Sequence, residues 1–208
     1  KNSNIPILGV NTGRLGFLSS ISKEEISSVI KDLQNKNFKL DERTLLKLET
    51  EDKLFGKNNF ALNEVTVFKK DSSSMITINA YINEKYLNSY WADGLIVSTP
   101  TGSTGYSLSC GGPIVTPESK NFIITPIASH NLTVRPLVLP DDKSICLKIN
   151  CRNNNILIGM DSRTVSINKP IKLIINKETF KIKFIQLLDK DFYLTIRNKL
   201  MWGMDIRN

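Results

Sequence analysis

The sequence predicts an α+β chain: a two-layer, sandwich-like β domain accompanied by part of an α/β domain. Three observations carry this. Residues 5–10 hold the apolar run Ile5, Ile7, Leu8 and Val10, which reads as a fully buried strand needing neighbours on both sides. One amphipathic helix follows it. From about Phe38 onward the texture changes to many short alternating segments separated by Asn, Asp, Lys and Pro turns, the pattern of an all-β layer structure.

Taken in order, the opening run has no upstream neighbours before Lys1, so the sequence is expected to begin partway through the α/β domain. In the next stretch Gly9, Gly13 and Gly16 permit sharp turns, and Arg14 suits either a surface ion pair or a phosphate. Ser22 and Glu25 have capping-box spacing, and Ile26, Val29, Ile30 and Leu33 mark one helical face. Ile76, Ile78, Ala80 and Ile82 alternate with polar residues as in a half-buried strand, and Asn83-Glu84 forms the tip of a hairpin into Lys85–Tyr90. Phe122–Ile127 reads as a buried strand. Further alternations run through Ile145–Ile149, Ile156–Met160, Ile171–Ile175 and Phe180–Phe184, and Asp191–Met201 returns to helical spacing.

At 208 residues, 40% hydrophobic and 23% charged, the chain has the composition of a soluble globular protein. No apolar run approaches the roughly 20 residues that span a bilayer. Cys110, Cys146 and Cys151 form an unpatterned set with a single histidine, which indicates neither a zinc site nor a disulfide framework and points to a reducing, cytoplasmic setting. The formal charge of +8 invites nucleic acid as a partner, but Lys172, Lys181 and Lys183 alternate with apolar residues like a solvated sheet face. No nucleic-acid partner and no membrane are expected. A positive field equally attracts polyanionic small molecules.

The stretch 93–115, DGLIVSTPTGSTGYSLSCGGPIV, follows a short buried strand with glycines and hydroxyls. Such a loop brings bare N–H groups and small donors to a polar ligand, or simply makes a strand-turn-helix connection; the residues alone leave both open. His130 is the one natural base near neutral pH. With Ser103 or Ser107 and Asp93 it spells a hydrolase triad, and with Cys110 a thiol pair, but the G-x-S-x-G elbow is missing. No G-x-G-x-x-G and no Walker lysine occur either.

The same stretch closely resembles the signature of the NAD kinases, as do NEV at Asn63–Val65, HNLTVRPLVLP at His130–Pro140, NTGRLGFL at Asn11–Leu18 and KLMWG at Lys199–Gly203. The resemblance implies phosphoryl transfer from ATP, with Mg²⁺ or another divalent metal, to the 2′-hydroxyl of the adenosine ribose of NAD, giving NADP. It implies a remaining part of a Rossmann-like N-terminal domain (1–37), an all-β NAD-binding domain (38–186) and a C-terminal segment (187–208) packing back on the first. Asn63, Glu64, Asp93, Thr101, Thr104, Gly105, Tyr106, Ser107, Leu108, Ser109, Ala128 and Arg163 are then the NAD contacts, and Arg135 is expected to be anchored by a carboxylate. Gly105 departs from the family pattern, in which alanine is common. The family's GGDG motif, which carries its catalytic aspartate, does not occur in these 208 residues. No catalytic residue and no metal ligand is therefore assigned here, and the chain alone is expected to be inactive. A homodimer or homotetramer is implied. The alternatives are a non-catalytic nucleotide-binding fragment or paralogue, and a lipid kinase of the same superfamily.

Overall fold

A computed structural model describes residues 4–13, 16–19, 21–70, 75–150 and 155–203. Arg14 and Cys151, both singled out above, lie outside them. Helix α1 (Ile26–Gln34) is followed by strands β1 (Phe38–Arg43), β2 (Leu46–Glu49), β3 (Phe60–Ala61), β4 (Glu64–Lys69), β5 (Ile76–Ile82), β6 (Lys85–Ala92) and β7 (Gly94–Ser98). A single 3₁₀ turn (Thr101–Thr104) and the short helix α2 (Tyr106–Ser109) come next. Strands β8 (Asn121–Ile127), β9 (Leu137–Pro140), β10 (Ile145–Asn150), β11 (Ile156–Met160), β12 (Arg163–Ile167), β13 (Ile171–Lys177) and β14 (Ile182–Leu187) lead to helix α3 (Phe192–Leu200).

Residues 44–180 form one compact unit. In it two six-stranded antiparallel sheets, β3-β2-β13-β10-β5-β6 and β12-β11-β4-β7-β8-β9, share one apolar core. Leu48, Ile78, Leu147 and Leu173 come from the first sheet, and Val65, Val97, Phe122 and Ile158 from the second. This is the sandwich the alternations predict. Ile76, Ile78 and Ala80 point inward from β5, whereas all five residues of β7 are buried, so that strand is covered on both faces. Asn83 and Glu84 both take positive φ, as a two-residue hairpin turn requires. Pro126 sits in β8 beyond the last residue paired with β9, where its missing N–H leaves no gap in that ladder.

Residues 1–43 and 181–208 form the second unit. Here β1 and β14 pair antiparallel, with Phe38 opposite Leu187 and Arg43 opposite Ile182. The opening run departs from the expected buried strand. Ile5 is 71% and Ile7 47% exposed, and the segment is held by isolated parallel bridges, Ile7 to Phe184 and Val10 to Ile21. Isolated bridges make no ladder that would place these side chains between layers. In α1 Val29 is buried and Leu33 packs beside it, while Ile26 and Ile30 are exposed. Half of the capping box forms. Glu25 accepts from the Ser22 amide at 2.7 Å, but the Glu25 amide goes to the Ser22 carbonyl. A hydrogen bond from Lys190 also reaches Glu25 and, with the Ser22 amide, holds its carboxyl down at about 2. Asp191 caps α3 by accepting from the Leu194 amide at 2.6 Å.

Candidate functional site

The site is built at the ends of two paired strands. β4 and β7 run antiparallel with Glu64 opposite Ser98 and Phe68 opposite Gly94. Beyond Ser98 the chain turns at Pro100, and the loop is bolted to the residues just before β4. The Thr99 amide donates to the Asn63 carbonyl at 2.9 Å, and its hydroxyl to the Leu62 carbonyl at 2.6 Å. A Cβ on Gly102 would stand 2.2 Å from the Asn63 carbonyl oxygen, so only glycine permits this approach.

Three hydroxyls spaced four apart, on Thr99, Ser103 and Ser107, are fully buried and serve the scaffold. Ser103 donates to the Pro100 carbonyl and accepts from the Val115 amide. Ser107 pairs with the Thr125 hydroxyl at 2.8 Å, in space that a side chain at Gly112 would fill. Thr101 is buried too. From Thr104 on, the residues beside Ser107 are more open: Gly105, Tyr106 and Ser109 are exposed, and Thr104 and Leu108 half-buried.

From this loop α2 doubles back along the strands. The Tyr106 ring lies 5.6 Å from that of Phe68, the residue paired with Gly94. Tyr106 therefore comes near Asp93, whose charge, after burial and the Cys110 thiol, helps to push the phenol upward. Asp93 itself is tied by its amide to the Ile127 carbonyl and by its carboxylate to Lys69 at 2.6 Å. Ala128, next to Ile127, is exposed at φ +45°, a conformation that non-glycine residues take at a cost. Asn63, Glu64, Gly105, Tyr106, Asp93 and Ala128 thus lie along one strip.

Glu64 is the chemically poised member. Its Oε2 is buried without a hydrogen-bond partner, and so is the Ser98 hydroxyl on the same rung. A Cβ on Gly105 would sit 3.6 Å from that oxygen. Burial, with the nearby charge of Asp161, pushes the Glu64 carboxyl up to about 7. Buried polar atoms are nearly always paired, so a lone carboxylate oxygen at an open loop calls for a donor from outside the chain. The Asn63 carboxamide likewise has no partner among the described residues.

Other expected members stand elsewhere. The Arg163 guanidinium donates to the Asn58 and Phe60 carbonyls and packs over the Phe55 and Phe60 rings, so its role is to hold the 55–60 loop. Arg135 is anchored by the Leu132 and Val134 carbonyls at 2.9 Å rather than by a carboxylate. His130 packs against Trp91 with ring centroids 4.7 Å apart and planes tilted by 56°, and both serines of the supposed triad are bonded within the fold. Sequence reasoning missed what Asp161 does: its carboxylate accepts from the Leu62, Asn63 and Glu64 amides. Among the described residues no group of three or more His, Cys, Asp and Glu gathers. No helix among them is long and apolar enough to cross a membrane.

Residues 62–187 match the ATP-NAD kinase C-terminal domain, and residues 1–38 the ATP-NAD kinase N-terminal domain. The chain belongs to the ATP-NAD kinase family. An NAD kinase of Cytophaga hutchinsonii is 55% identical over all of this chain and 71% of its own length. One of Bacteroides fragilis is 45% identical over 99% of this chain and 71% of its own. Among solved structures, yeast NADH kinase complexed with NADH superposes with a TM-score of 0.88 at 27% identity. That match takes in 99% of this chain but only 62% of the yeast one. The NAD kinase of Archaeoglobus fulgidus in complex with ATP gives 0.80 at 26%, covering 94% of this chain and 74% of that one. The family's NE and STPTGST motifs are, in this member, the two segments bolted together at Thr99 and Gly102.

Proposed function

We propose that the strip from Asn63 to Ala128 binds the adenosine half of NAD, and that the chain is the larger part of an enzyme transferring the γ-phosphoryl group of ATP to the 2′-hydroxyl of that ribose. The observation that carries this is the orphaned Glu64 oxygen beside the open Gly105. An ionised carboxylate accepts two hydrogen bonds from a ribose diol. The Asn63 carboxamide offers a donor and an acceptor to an adenine edge, the Tyr106 ring offers a stacking face, and Asp93 and Ala128 close the far end. Thr104, Gly105, Leu108 and Ser109 supply the loop's open surface. The Ser107 and Thr101 side chains support from beneath, and Arg163 is left out of the contact set. Mg²⁺ supplies charge neutralisation at ATP when present; this chain orients the acceptor. A cytoplasmic homo-oligomer completes the reading.

Glu64→Ala is expected to weaken NAD binding by about 1–3 kcal/mol, the loss of a charge-assisted hydrogen bond. Its melting temperature stays level or rises, because the carboxylate removed has an unpartnered oxygen near a like charge. Calorimetric titration with NAD alongside a thermal melt decides it. Undiminished affinity overturns the site. NAD binding by an active-length protein that makes no NADP from ATP favours the non-catalytic paralogue.

A further inference from the structure

Asp161 follows β11, in the two-residue turn before β12, and its carboxylate gathers three successive amides. Oδ2 accepts from Leu62 at 2.8 Å; Oδ1 accepts from Asn63 at 2.8 Å and from Glu64 at 3.2 Å. Its own amide returns a hydrogen bond to the Glu64 carbonyl at 3.1 Å. The residue holds φ +50°, a left-handed conformation that aspartate and asparagine tolerate better than most side chains. Nearly a hundred residues away in sequence, this one carboxylate fixes the backbone from which Asn63 and Glu64 project.

We propose that Asp161 is a positioning residue for nucleotide recognition, setting the backbone of Leu62–Glu64 so that the Asn63 and Glu64 side chains face the ligand. This rests on the NAD-site reading above. A purely structural staple would hold any strand end equally well, but Asp161 stands at the recognition pair and its charge acts on Glu64. The surrounding charges do not compensate it there. Arg163, two residues on, turns its guanidinium to the Asn58 and Phe60 carbonyls, and Lys69 is paired with Asp93 at the far end of β4. The described face of the loop, Thr99–Gly105, contributes no ionisable side chain.

Asp161→Asn keeps a residue suited to the left-handed turn while removing the charge and one acceptor. Asp161→Glu keeps the charge but carries the acceptors one methylene further out. In Asp161→Asn, amide hydrogen exchange at Leu62, Asn63 and Glu64 is expected to speed up about tenfold or more, and NAD affinity at pH 8 to fall by about tenfold. The pH at which NAD affinity levels off should also move down, since Glu64 then ionises more easily. Asp161→Glu should lose affinity with that pH unchanged, and serves if the asparagine variant does not fold. Folded variants with parental exchange, affinity and pH profile overturn the proposal. A parent chain that binds no NAD at any pH overturns the NAD reading instead, and the exchange rates still decide whether Asp161 positions the segment.

Discussion

Gly102→Ala is expected to destabilise the β unit by about 3 kcal/mol or more, and to abolish NAD binding in whatever remains folded. The added carbon would lie 2.2 Å from the Asn63 carbonyl oxygen, 2.6 Å from its carbon and 2.9 Å from its Cα. All three are backbone atoms, and they are pinned from both sides. The Asp161 carboxylate holds the Asn63 amide, and the Thr99 amide holds the Asn63 carbonyl. Neither strand end has room to retreat without breaking these bonds. The contrast is Gly105→Ala, whose nearest contacts are the Gly102 carbonyl oxygen at 3.2 Å and Glu64 Oε2 at 3.6 Å. That variant should cost about 1 kcal/mol or less. Urea unfolding midpoints of the two variants test the pair. A Gly102→Ala protein that melts like the parent would mean the loop and the β4 entry are not clamped as described.

The sandwich was legible because several of its strands alternate. Ile76–Ile82 and Ile145–Ile149 carry their period in the residues themselves, and the structure buries the apolar set. The opening run carried less information, because an unbroken apolar segment says only that burial is wanted, not which partners provide it; here Ile5 and Ile7 are exposed. The central loop was legible in its glycines and hydroxyls, yet not in its division of labour. The space that a side chain at Gly102 would need is filled by Asn63 backbone, a contact between segments nearly forty residues apart. Arg163 illustrates the same limit, since nothing local reveals that carbonyls more than a hundred positions away will take its donors. Asp161 is the clearest case, because a carboxylate that organises residues 62–64 is a long-range fact that no spacing encodes.

NAD affinity should rise about tenfold per pH unit between about pH 5 and pH 7, then level off. The ribose hydroxyls donate, so the form of Glu64 that receives both of them is the carboxylate. In the free protein burial, reinforced by Asp161, holds that carboxyl up at about 7, and it must lose its proton to bind. The sign for stability follows from the same shift. Between the ordinary carboxyl value of 4.5 and about 7, the folded chain keeps a proton that the unfolded chain has released. The stabilising contribution of this group is therefore complete below that window and declines as pH rises through it. Binding then couples to release of a proton, largest near pH 6. Titrations with NAD in two buffers of different ionisation enthalpy measure that release directly. Glu64→Gln, which cannot ionise, should bind weakly with a flat profile and release nothing. A parent protein whose affinity is flat from pH 5 to 8, with no buffer-dependent heat, would remove Glu64 from the ligand.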